Sequence, residues 1–184
     1  MIGSFEENII QYCAPTLAGL KAGSLFSCFR SQFPNLELLV SQQDRLMKSK
    51  GIRICVLADK GRYLLVYCYR PAMLQAILDD RKTAEFMSGY GYSSDIDEAL
   101  DRLSERLEEH DFPHEVGIFL DYPLEDVKDF IRYDGQNYLV VGDWKVYHNP
   151  QQAVSRFESF RRCLKTLVYH FQHGRAFSQL IVSM

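Results

Sequence analysis

The stretch IRICVLADKGRYLLVYCYRP (52–71) decides the fold. Its halves, IRICVLA (52–58) and RYLLVYCYR (62–70), are rich in β-branched and aromatic residues, which fit a pleated, half-buried surface. Asp59-Lys60-Gly61 between them suits a three-residue hairpin loop, with the glycine supplying a left-handed conformation. The stretch therefore predicts two antiparallel strands.

Outward toward the N-terminus, LFSCF (25–29) reads as a short strand. NLELLVSQQDRLMKSKG (35–51) reads as a helix with Asn35 as N-cap, Lys48 and Lys50 in its last turn and Gly51 at its stop. Ser4 caps a first helix, FEENIIQYC, and Pro15 then marks a possible second helix start, with Gly19 and Gly23 as breakers. Toward the C-terminus, Pro71 opens a helical stretch that breaks near Asp79-Asp80 and ends at Gly89 or Gly91. Asp95 and Glu98 form a D-x-x-E cap, and Ile96, Ala99, Leu100, Leu103 and Leu107 share one face, so 95–109 is predicted helical. EVGIFLD (115–121) reads as a buried strand. Pro123 begins another helix that stops before Gly135.

YLVV (138–141) and WKVY (144–147) are strand-like around Gly142-Asp143. Asn149-Pro150 opens a long helix running to about His173, and FSQLIVS (177–183) reads as an edge strand. Strands and helices interleave without strict alternation. The expected class is mixed α/β (α+β): one domain over 1–184, with a mixed sheet of five to six strands, helices packed on it and a long C-terminal helix.

The 184 residues are 47% hydrophobic and 24% charged, which excludes an intrinsically disordered chain. A chain of this size buries about 70% of its surface on folding, so no disulfide or structural metal is needed. Twenty-one Lys and Arg against 24 Asp and Glu give a net charge of −3, which argues against general nucleic-acid binding. Glu6 and Glu7 sit where a signal peptide carries lysines, and no apolar run approaches a membrane span. The expectation is a soluble cytoplasmic protein. Its five cysteines, Cys13, Cys28, Cys55, Cys68 and Cys163, include no CxxC pair and read as free thiols.

No dinucleotide, P-loop, zincin, nucleophile-elbow or EF-hand pattern occurs. Four features remain. In DFPHEVGIFLDYPLEDV (111–127), His114 and Glu115 enter an apolar run. A histidine beside a carboxylate suits proton transfer, whereas the competing reading makes both of them caps or backbone partners. In VGDWKVYHN (141–149), Trp144 offers a stacking surface and Lys145 a cation. The competing reading is a half-buried strand with Trp144 and Val146 inward and Lys145 and Tyr147 outward. Cys13, placed just before a helix start and followed by Lys21, would have a depressed thiol pKa; alternatively it is a buried, inert cysteine. The last helix carries Arg161, Arg162, Lys165, His170 and His173, with Arg175 beyond: a basic face, or cations that complement the helix dipole.

CAPTLAGLKAGSLFS (13–27), FPHEVGIFLDYPLEDVKDFI (112–131) and WKVY (144–147) resemble an uncharacterised bacterial domain-of-unknown-function family of about this length, found largely in Firmicutes. The resemblance spans nearly the whole chain, with LLVYCYRP (64–71), Gly89-Tyr90 and Arg106 as intermediate matches. It marks Cys13, Pro15, Lys21, Pro113, His114, Glu115, Gly117, Tyr122, Pro123, Asp126, Gly142, Trp144, Lys145 and Tyr147 as typical. Family members often carry Gly where this chain has Asp121, and Cys or Tyr where it has Asp143. The resemblance implies no activity, although relatives' genes lie near flavodoxin and iron-transport genes.

Three functions compete. The first is a ligand- or partner-binding regulatory protein, its partner an unassigned small molecule or protein, with Lys21, Tyr122, Trp144, Lys145 and Tyr147 as binding residues. The second is a thiol-dependent hydrolase or transferase using Cys13 and His114, with Glu115 or Asp143 orienting the imidazole. The third is an iron- or redox-linked protein using Cys13, His114 and Glu115. No cofactor is assigned. All three share one expectation: the CAPT, FPHE and GDWK blocks meet on one side of the molecule.

Overall fold

The computed structural model describes residues 3–109 and 112–183. In chain order the elements are α1 (Phe5–Leu17), β1 (Gly23–Phe29), α2 (Leu36–Lys48), β2 (Arg53–Asp59), β3 (Tyr63–Tyr69), α3 (Pro71–Asp79), α4 (Arg81–Ser88) and α5 (Ile96–Glu108). They continue with α6 (Val116–Phe119), α7 (Leu124–Arg132), β4 (Val140–Val141), β5 (Lys145–Val146), α8 (Pro150–Gln172) and α9 (Phe177–Leu180). Helix exceeds strand, and the C-terminal helix is the longest element.

The central sheet has three antiparallel strands in the order β1-β3-β2. β2 and β3 form the expected hairpin, with Cys55 opposite Tyr67 and Val56 opposite Val66, and a bulge shifts the register between Val56 and Ala58. Gly61 takes φ 73° in the loop, where its N–H bonds to Asp59 Oδ1 at 2.8 Å. β3 is central, and Leu64 to Tyr69 are all buried because both sheet faces are covered. One face, with Phe26, Cys28, Ile54, Leu64, Val66 and Cys68, packs on α1, α2, α8 and α9. The other, with Leu57, Leu65, Tyr67 and Tyr69, packs on α3 to α6 and on Val127 of α7. A third, smaller cluster joins Trp144 and Val146 to Ala153, Phe157 and Phe160 of α8.

The expected sheet of five to six strands divides into this three-stranded sheet and a separate β4–β5 hairpin. Three local differences produce that result. Residues 115–121 form a helical turn rather than a strand: Tyr122 N–H reaches back to Gly117 O and Asp121 N–H to Ile118 O, with Asp121 left-handed at φ 59°. This is a Schellman ending. Phe119 is as buried as a central strand residue would be, because a short apolar run satisfies burial in either conformation. FSQLIVS forms the turn α9 instead of an edge strand. Finally, α1 runs through Pro15, so Cys13 lies inside its last turns rather than before a helix start.

Asp95 caps α5 through the N–H groups of Asp97 and Glu98, as its D-x-x-E pattern predicts. Asn35 and Asn149 stand at the N-cap positions of α2 and α8, but in left-handed conformation and without a side-chain cap bond. α8 is unbroken, and Val154 near its start is exposed. Among the described residues no helix is long and apolar enough to cross a membrane.

Candidate functional site

α6, α7 and the β4–β5 hairpin enclose a cavity of about 360 Å³. Its walls are Val116 and Gly117 from α6, Leu120 and Tyr122 after it, Asp126, Val127 and Phe130 from α7, and Trp144 and Lys145 from the hairpin, with Phe112 and His114 at one side. The FPHE and GDWK blocks thus converge, although about 30 residues separate them. Gly117 allows the close approach of α6 and α7: a Cβ there would stand 2.8 Å from Val127 Cγ2.

Asp126 organises the hairpin. It is 2% exposed, and the indole Nε1 of Trp144 donates to its Oδ2 at 2.8 Å. Its Oδ1 accepts the backbone N–H groups of Tyr147 and His148, each at 2.9 Å. A buried carboxylate needs such donors. Trp144 is held further by Tyr122, stacked at 5.1 Å, and by Phe157, edge-on at 4.5 Å. Gly142 lets the hairpin lie on Phe157, whose ring would be 2.3 Å from a Cβ at that position.

Lys145 is half-buried. Its ammonium donates to Gly135 O at 2.7 Å and lies between the rings of Phe130 (5.6 Å) and Tyr138 (5.1 Å). A backbone carbonyl and two ring faces leave donor capacity on a three-proton ammonium. Tyr147, expected outward, is buried with Trp144 and Val146; its ring stacks on Tyr133, and its hydroxyl has no partner among the described residues.

His114 is exposed, and its ring meets the edge of Phe130 at 5.1 Å. Glu115 does not orient it. That carboxylate is 1% exposed and accepts Arg106 Nε at 2.9 Å and Tyr92 OH at 3.1 Å, joining α5 to the start of α6. His114 and Phe112 also wall a neighbouring polar cleft that includes Arg106 and Tyr90.

The CAPT block approaches the same region from behind Tyr122. Lys21 Nζ lies 5.2 Å from the Tyr122 ring centroid, and the Tyr122 hydroxyl donates to Asp143 O at 3.0 Å. Burial pushes the Tyr122 phenol up to about 12, with Asp143 adding to the shift. Lys21 therefore stands outside the cavity wall. Cys13 is deeper still. Burial, and next the neighbouring Cys68 thiol, push its pKa well above the ordinary thiol value, the reverse of the shift expected at a helix start. No hydrogen bond joins Cys13 to His114, and no group of three or more His, Cys, Asp or Glu stands together to hold a metal, in each case among the described residues.

Sequence reading passed over Asp126, Phe130, Asp121 and Arg156 as site residues. Asp126 follows Pro123 in a first helical turn, where an acid ordinarily complements the helix dipole. Only its family-typical position hinted at more.

A family model described as "Protein of unknown function (DUF3793)" matches residues 9–181. The chain belongs to this family. No curated protein and no solved structure matches it. The DUF3793 match covers every element of the cavity. Asp121 holds φ 59°, a region glycine enters without steric cost.

Proposed function

We propose that this DUF3793 chain is a single-domain ligand-binding protein whose cavity takes a flat, apolar molecule carrying an anionic group. One observation carries the reading: blocks distant in sequence converge on an almost wholly apolar space of about 360 Å³ with an ammonium, Lys145, in its wall. Apolar and aromatic walls with a few oriented polar groups are the general form of small-molecule sites. Val116, Leu120 and Val127 supply the apolar surface, Trp144 a stacking wall, and Lys145 the charge partner. His114 borders the cavity beside Phe130.

Trp144 is the chain's one tryptophan, so its fluorescence reports on the cavity directly. Titration with 2-naphthoate is expected to give a saturable change in emission. Lys145→Met should weaken that binding by roughly 10- to 100-fold, the equivalent of one charge-assisted hydrogen bond. Binding of the neutral 2-naphthalenemethanol should be equal in the two proteins. Absence of a saturable response to either compound at millimolar concentration would overturn the reading.

A protein partner is the second reading, supported by the exposure of Tyr138, Leu139 and Val141 on the hairpin beside the cavity. Substituting Leu139 and Val141 by Ser would abolish partner binding but leave naphthoate binding intact.

A further inference from the structure

Phe112 and His114 wall two spaces at once. On one side is the apolar cavity. On the other is a cleft of about 450 Å³, whose further walls are Tyr90, Arg106, Glu115 and Ile131. The two spaces adjoin at this pair of side chains.

The cleft holds an ion pair with spare hydrogen-bonding capacity. Arg106 Nε donates to Glu115 Oε1 at 2.9 Å, and Nη1 donates to Glu109 Oε2 at 2.6 Å. Glu115 Oε1 also accepts from Tyr92 OH. Among the described residues, Arg106 Nη2 and Glu115 Oε2 have no partner. Neither is sealed from solvent: the sealed, unpartnered side-chain atoms are Gln43 Oε1, Arg70 Nη1 and Tyr147 OH. Glu115 is 1% exposed, yet it keeps one carboxylate oxygen open on the cleft wall. Buried polar groups ordinarily find partners, so an open oxygen on so enclosed a side chain points to an occupant.

The chemistry of that occupant follows from the pair. The 2.9 Å bond sets guanidinium and carboxylate side by side, so a free donor and a free acceptor stand on adjoining groups. A bare anion would meet two carboxylates, Glu115 and Glu109, and a bare cation would meet the guanidinium. A neutral group that accepts and donates meets neither penalty.

We propose that the cleft is a second subsite of the cavity and takes a vicinal diol, such as that of a sugar ring, carried by the flat anionic ligand. This rests on the ligand-binding reading above and extends it. One hydroxyl accepts from Arg106 Nη2, and its neighbour donates to Glu115 Oε2. Tyr90 and His114 add a phenol and an imidazole for further hydroxyls, and Phe112 offers an apolar wall to the ring carbons.

Saturation-transfer NMR with methyl β-D-glucopyranoside at millimolar concentration tests the cleft alone. Transfer is expected in the parent protein. It should be roughly 10-fold weaker in Arg106→Lys, which keeps a cation for Glu115 but lacks Nη2. Glu115→Gln keeps an acceptor for Arg106 Nε but turns the open oxygen into a donor, and should weaken transfer too. Near-ultraviolet circular dichroism checks that both variants fold. No transfer in the parent, or undiminished transfer in folded Arg106→Lys, overturns the diol site. The link to the cavity is tested by Trp144 fluorescence. There 6-(β-D-glucopyranosyloxy)-2-naphthoate should bind about 10-fold more tightly than 6-methoxy-2-naphthoate. Equal affinities overturn the link. Transfer from the glucoside without binding of either naphthoate would overturn the cavity reading and leave the diol site standing.

Discussion

Trp144 donates its indole N–H to Asp126 Oδ2 across 2.8 Å of buried interior, tying the β4–β5 hairpin to α7. The bond sets the angle at which the indole faces the cavity. It also places the stacking wall and the Lys145 ammonium in one fixed relation.

Asp126→Asn should therefore destabilise the protein by about 1–3 kcal/mol, because an amide donor then faces either the indole N–H or the backbone N–H groups of Tyr147 and His148. Urea denaturation measures the cost. A red shift of Trp144 emission in the native variant would show the indole loosened toward water.

Arg70 is 1% exposed, and its guanidinium donates to Thr16 O, Leu17 O and Val182 O at 2.6–2.8 Å. It caps the end of α1 and pins the C-terminal segment with one side chain. Arg70→Met leaves three carbonyls without their donors, and a loss of about 3 kcal/mol or more is expected at about 1–3 kcal/mol for each group left unsatisfied. Limited proteolysis should then cut after 177 sooner than in the parent.

Gly142→Ala places a methyl group 2.3 Å from the Phe157 ring. Overpacking of this kind costs about 1–3 kcal/mol. The hairpin should lift from α8, so naphthoate affinity and stability should fall together. Unchanged thermal melting would mean that the hairpin is free to shift.

Alkaline pH should destabilise the fold. Burial pushes the Cys28 thiol up to about 11 and the Cys55 thiol up to about 12, against an ordinary 9.0. Both stay protonated in the folded state while the unfolded chain releases its protons, so the unfolded state binds fewer protons above pH 9 and stability falls as pH rises. Below pH 9 these groups add no slope. Melting temperatures under reducing conditions should be level near pH 8 and decline from pH 9 to 11, and Cys55→Ala should make the decline shallower.

The central hairpin, α5 and α8 were legible because their signals are local. The Asp59-Lys60-Gly61 loop, the Asp95 cap and the spacing of Leu100, Leu103 and Leu107 each act within a few residues. VGIFL was not legible in the same way. Its apolar content demands burial but fits a central strand or a covered turn equally well. Phe119 is fully buried either way, so Phe119→Ala should still cost about 3–5 kcal/mol in denaturant titration.

Of the candidate site residues, Trp144 and Lys145 meet His114 around one cavity, and Tyr122 links that cavity to Lys21. Glu115 is committed to Arg106 and Tyr92, and Cys13 is enclosed by α1 and the sheet. Residue type suggested chemistry at each position, but the partners that direct each side chain lie elsewhere in the chain.

The sequence by itself determined the hairpin loop at 59–61, which strands pair at 52–70 and where the long helix begins and ends, because those choices follow from backbone preferences and periodicity over short distances. Tertiary structure alone decided that 115–121 is a turn, that the cavity exists and which polar groups face it. The bond from Tyr67 OH to Phe119 O spans 52 residues, and that from Trp144 to Asp126 spans 18. Contacts of that reach reward one of several conformations that local preference leaves nearly equal.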